Sequence, residues 1–180
     1  MASATRCCVA VAMLMLSACS GESTPSTTTI ASSTTVDATG TRALPLVGEI
    51  DDAVAALETK LGAPQEFFEI NATTQLVNLI VALNDGKVAQ PWVYLDGQLS
   101  SAEGAPANGH TFVAGALDFD QDAVLSEVQA KLPDASLDLF FVEGGEGGTV
   151  QYSVVATSRQ GGQLVVIVGP DGAVQSVNPN

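Results

Sequence analysis

Apolar residues recur at Ile50, Val54, Leu57 and Leu61, spaced four, three and four, which places them on one face of a helix. Asp51 or Asp52 is placed to cap its start, and Gly62-Ala63-Pro64 ends it. Val124, Val128 and Leu132 repeat the spacing, with Asp120 or Asp122 before them and Pro133 behind. Each stretch predicts a helix of about a dozen residues. Short β-type runs follow each helix. After the first come 66–70, 75–83, 88–95 and 98–101, divided by Asn84-Asp85-Gly86 and Asp96-Gly97. After the second come 137–143, 150–157, 164–169 and 173–177, divided by glycines at 144–148 and 161–162 and by Pro170-Asp171-Gly172. Residues 102–109 read as a linker, and 110–115 as a possible extra strand.

The two series match in more than their order. Asp52-Ala53-Val54 returns as Asp122-Ala123-Val124, Lys60-Leu61 as Lys131-Leu132, and Asp96-Gly97 as Asp171-Gly172, at offsets of 70, 71 and 75 that drift in one direction as a duplicated unit would. The predicted fold class is therefore α+β: two αβββ(β) repeats, 43–101 and 102–180, forming an antiparallel sheet with one helix per repeat packed on one face. The helix-then-meander unit, its Asp85-Gly86-Lys87 turn and its closing Asp-Gly pairs resemble PepSY domains, small exported αβββ modules. Two such units in one chain also resemble the tandem arrangement of β-lactamase inhibitor proteins. That resemblance, spanning about 46–177, implies a binding or inhibitory unit and no catalysis; it transfers no contact residues.

The N-terminal pattern is different in kind. One positive charge, at Arg6, precedes an unbroken apolar run of ten, Cys7 to Leu16. As a helix it would rise ~15 Å, half of a ~30 Å hydrocarbon core, so it suits a signal peptide better than a permanent span. Leu16-Ser17-Ala18-Cys19 resembles the lipobox of bacterial lipoproteins, which implies removal of 1–18 and a diacylglyceryl group, with acyl chains such as palmitate, on Cys19. Two chains give stable attachment where one gives only marginal binding. The alternative is an ordinary secreted protein. From Ser20 to Arg42, 13 of 23 residues are Ser or Thr, and only Ile30 and Val36 are large and apolar. Such a stretch cannot offset its ordering entropy and reads as a disordered tether, reaching ~25 to 30 Å on average, either a bare spacer or one that carries O-glycans. The expected location is the extracytoplasmic face of the cell membrane.

Composition sharpens this reading. The chain has 180 residues with 20 acids against 6 bases, a formal charge of −14. Only Glu22 and Asp37 among the acids precede residue 43, so the folded part holds 18 acids against Lys60, Lys87, Lys131 and Arg159. A phosphate-tracking surface is excluded, and nucleic acid with it. The acidity favours a basic protein partner and opposes binding to anionic lipid, which leaves attachment to Cys19. All three cysteines, Cys7, Cys8 and Cys19, lie in the first nineteen residues, so the folded part depends on its core and not on disulfides.

Candidate chemistry is sparse. His110 is the chain's one histidine, and no serine sits in a nucleophile elbow, so no catalytic residue is assigned. Asp118, Asp120 and Asp122 start like a calcium loop, but Ala123 and Gln129 stand where the loop needs Gly and Glu; capping explains them, and no metal or cofactor is assigned. Trp92 and Tyr94 project from one side of a predicted strand and Tyr152 from a comparable one, so the three are either core or anchors on an open sheet face. Pro91 suggests an edge strand or strand start. The expected function is a membrane-anchored, extracytoplasmic protein-binding module, enzyme inhibition being one form of it. The rivals are a carrier of an apolar small molecule or lipid, and an enzyme using carboxylates.

Overall fold

The computed structural model describes residues 43–179; the signal segment 1–18, Cys19 and the tether to residue 42 lie outside them. The elements run α1 (Ile50–Leu61), β1 (Glu66–Thr73), β2 (Val77–Leu83), β3 (Val88–Leu95), β4 (Gln98–Ser101), β5 (Ala105–Pro106) and β6 (Phe112–Val113). They continue with α2 (Ala123–Lys131), β7 (Ser136–Gly144), β8 (Val150–Thr157), β9 (Gln163–Val168) and β10 (Val174–Pro179). The class is α+β, as expected: one antiparallel sheet and two α-helices among the described residues. Its order is β10-β9-β8-β7-β1-β2-β3-β4, with β5 on β3 and β6 on β1.

Local chemistry explains most boundaries. Gly62 adopts φ 77° after α1 and its amide donates to the Glu58 carbonyl at 2.8 Å, the left-handed stop that Gly makes without steric cost. Asp51 and Asp52 do not cap α1; Glu49 occupies that position without a side-chain bond, and the two aspartates sit in the first turn, where the helix dipole favours them. At α2 the cap is Asp120, whose Oδ1 accepts from the amides of Asp122 at 3.0 Å and Ala123 at 2.9 Å. This helix has nine residues, because Leu132, ahead of Pro133, leaves helical geometry. Asp96 and Gly97 both take positive φ and close the two-residue hairpin between β3 and β4.

The linker is more ordered than its composition suggests. Ala105 and Pro106 pair with Ala89 and Val88, and Phe112 enters the core beside Phe67, ring centres 5.9 Å apart. Pro91 corrects an expectation: β3 is interior, not an edge. It pairs with β2 along its length, and on its other side β4 ends opposite Trp92 while β5 begins at Ala89. Pro91, which has no N–H to give, falls in the gap between them.

Strand alternation then sorts the sheet into two faces. Across one face run Trp92, Leu79, Ile70, Val142, Tyr152 and Val168, register partners from β3 to β9. Ile50, Ala53, Val54 and Leu57 of α1, with Val124, Leu125 and Val128 of α2, close over this face in a single apolar cluster. α1 lies against β2 and β4, and α2 against β10. Both helices thus serve the same face, and the opposite one carries no helix among the described residues.

Candidate functional site

The face turned away from the helices is built by the alternate residues of the same strands. Ile70 and Ala72 point to the core, so Glu69, Asn71 and Thr73 of β1 point outward; Phe140 and Val142 point in, so Leu139, Phe141 and Glu143 of β7 point out. Register completes the rows. Val93, Asn78, Asn71, Phe141, Ser153 and Ile167 form one, and Thr73, Leu139, Val155 and Val165 another.

On the β7 to β9 half these rows form an open groove of about 370 Å³, lined by Leu139, Phe141, Glu143, Ser153, Val155, Gln163 and Val165. Its walls are apolar and its floor is not. Ser153 is only 7% exposed; its hydroxyl makes no hydrogen bond to another described residue, and its oxygen is not sealed from solvent.

Beside the groove, Glu69 and Glu143 stand opposite each other on β1 and β7. Like charges directly across an antiparallel pair are destabilising, their Cβ atoms lying ~4.5 to 5.5 Å apart. Burial pushes the Glu69 carboxyl above its ordinary value; the Asn71 amide, donating to Oε1 at 2.5 Å, works the other way, and Glu143 adds to the rise. Asn71 in turn accepts from Asn78 Nδ2 at 2.7 Å, so Glu69 ends a polar chain that crosses from β2 to β1. No ion pair reaches either carboxylate among the described residues.

The three aromatic candidates are placed elsewhere. Trp92 is 7% exposed and Tyr152 5%, both on the helix side, and Tyr94 is half-buried against the same core. Lys60 Nζ lies 5.6 Å from the centre of the Trp92 ring, whose Nε1 is buried without an acceptor among the described residues. Tyr152 stacks with Phe140 at 6.1 Å and accepts at its hydroxyl from the Asp118 amide at 2.9 Å; burial pushes that hydroxyl up. These side chains build the core, so they do not form the open face. The aromatic residue there is Phe141, which the sequence reading passed over because Phe140-Phe141 looked like one apolar run; its alternation with Phe140 was the available signal. His110 is exposed at the end of the linker.

No protein-family model matches the chain, and no curated protein does. Among solved structures, one similar in overall course is a putative lipoprotein from Clostridium difficile 630, at 9% identity and a TM-score of 0.48, covering 77% of this chain and 94% of that one. Nothing about this chain's fold or function follows from a likeness at that level.

Proposed function

We propose that this chain is a membrane-anchored, extracytoplasmic lipoprotein whose folded part binds another protein, of basic character, through the helix-free face of its sheet. Inhibition of an enzyme is one form such binding takes. The observation that carries the reading is the sidedness of the sheet. Both helices cover one face, while the other presents Leu139, Phe141, Val155, Val165 and Ile167, each half-buried and with no helix over it among the described residues. Contiguous apolar surface on an acidic domain is what a protein interface requires, an apolar centre within a charged surround.

The anchor rests on Leu16-Ser17-Ala18-Cys19 behind an apolar run of ten. An acidic folded part is repelled by anionic lipid, so acyl chains suit the attachment and the negative surface suits a basic partner. The order helix then four strands, occurring twice in a sheet whose two halves mirror each other about β1 and β7, supports descent from a duplicated PepSY-like unit. The carrier reading is less favoured, because the side chains between helices and sheet are almost fully buried against one another.

The test has two arms. Mass analysis of the mature N-terminus is expected to find Cys19 diacylated, with Cys19→Ser shifting the protein out of the membrane fraction. Captured envelope proteins are expected to be lost on Val155→Lys and retained on Thr59→Lys, a change on the exposed side of α1. An unmodified Cys19 would remove the anchor, and equal capture by both variants would remove the binding face.

A further inference from the structure

We infer that the groove between β7 and β9 receives a protein segment in which an arginine stands next to a large apolar side chain, the guanidinium lying between Glu69 and Glu143 and the apolar group over Phe141 and Val155. This rests on the binding reading above and adds the chemistry of the partner.

Three independent features converge on it. The first is charge. Glu69 and Glu143 face one another with no cation in ion-pair reach among the described residues, and a partner's guanidinium, a planar fork of five donors, can serve two carboxylates at once. Such a cation would turn a like-charge pair into a bridged one, so the gain comes from relief of repulsion as well as from new hydrogen bonds. The second is shape. Leu139, Phe141, Val155 and Val165 wall about 370 Å³ directly next to the carboxylates, room for a side chain and the backbone that carries it. The third is the hydroxyl of Ser153, a residue 7% exposed at the floor; it has no hydrogen-bond partner among the described residues and its oxygen is open to the groove. It can give and accept one bond, which suits a backbone amide or carbonyl of an incoming segment. A second copy of this chain fits poorly, because pairing two such faces sets four glutamates together in a domain with 18 acids and four bases.

The probe is a set of capped peptides titrated into the isotope-labelled mature chain and followed by amide NMR shifts: Gly-Arg-Leu-Gly, the same with citrulline for arginine, and Gly-Arg-Ser-Gly. The first is expected to shift the amides of Glu69, Phe141, Glu143, Ser153 and Val155, and to weaken at least fivefold with either replaced peptide. Glu69→Gln with Glu143→Gln is expected to remove the preference for arginine over citrulline while leaving the preference for leucine over serine. Ser153→Ala checks the floor, with a loss of affinity and no loss of fold. Shifts scattered away from the groove, or equal binding of the citrulline peptide, would overturn the inference. If captured envelope proteins are lost on Val155→Lys yet indifferent to the double glutamine variant, the arginine site falls and the binding face stands. If capture is indifferent to both, both fall.

Discussion

Phe140 and Phe141 are adjacent, chemically identical and on opposite faces, so truncating each in turn measures the sidedness of the sheet directly. Phe140 is fully buried, with ring centres 5.3 Å from Phe119 and 6.1 Å from Tyr152. Removing such a ring costs about 3 to 5 kcal/mol, the transfer free energy plus the cavity left behind. Phe141 is half-buried on the open face. Full burial of a large apolar side chain contributes about 1.5 to 3 kcal/mol, so a half-buried ring that leaves no enclosed cavity should cost about 1 kcal/mol. The expected gap is about 3 kcal/mol, a large part of the ~5 to 15 kcal/mol of an ordinary domain. In urea, with a slope of ~1.5 kcal/mol per molar, the midpoint of Phe140→Ala should fall about 2 M below that of Phe141→Ala. Fluorescence of Trp92, the chain's only tryptophan, follows the transition. Equal midpoints would refute the reasoning, because Phe141 would then be as enclosed as Phe140 and the open face would not exist.

Three further outcomes follow from particular contacts. Because burial and Glu143 raise the Glu69 carboxyl above 4.5, its ionisation opposes folding; Glu69→Gln should stabilise the protein at pH 7, and the advantage should shrink as pH falls through the raised value and vanish below about 4.5 in denaturant titrations across pH. Gly172 holds φ 80°, and a Cβ there would sit 2.8 Å from the Ala123 carbonyl oxygen at the start of α2, so Gly172→Ala should cost more than ~2 kcal/mol, against about 1 for Gly97→Ala, which has φ 76° but open space, read as Tm shifts. Trp92→Phe should cost less than ~1.5 kcal/mol by urea unfolding, since removing a buried, unpaired N–H offsets part of the lost ring area.

Where hydrophobic period and turn chemistry agreed, the elements were legible in the sequence. β3, β4 and β8 fall at the expected residues, and α1 spans the twelve residues that the spacing from Ile50 to Leu61 implies. The linker misled because Ala, Pro and Gly carry little side-chain pattern, and the pairing of Ala105–Pro106 with β3 comes from backbone bonds that tertiary contact supplies, whereas Phe112–Val113 falls within the extra strand expected over 110–115. The aromatic assignment separated for a related reason. Period 2 correctly put Trp92 and Tyr94 on one side of a strand, but which side the helices cover is a tertiary fact. It is decided by the width of the apolar row from Trp92 to Val168, which needs the register of strands far apart in sequence. The Glu69–Glu143 pair was out of reach likewise, since those residues are 74 positions apart and meet only because β1 pairs with β7.

The account's central claim is that a lipid-anchored domain engages its partner through the helix-free face of its sheet. The most direct measurement attaches a photo-crosslinker in the envelope through a single introduced cysteine, at Val155→Cys on the open face or at Thr59→Cys on exposed α1, the acyl group proposed on Cys19 leaving the introduced thiol as the reactive one. The account predicts a discrete protein adduct from position 155 and none from position 59. A discrete adduct from position 59 with none from position 155 would contradict it.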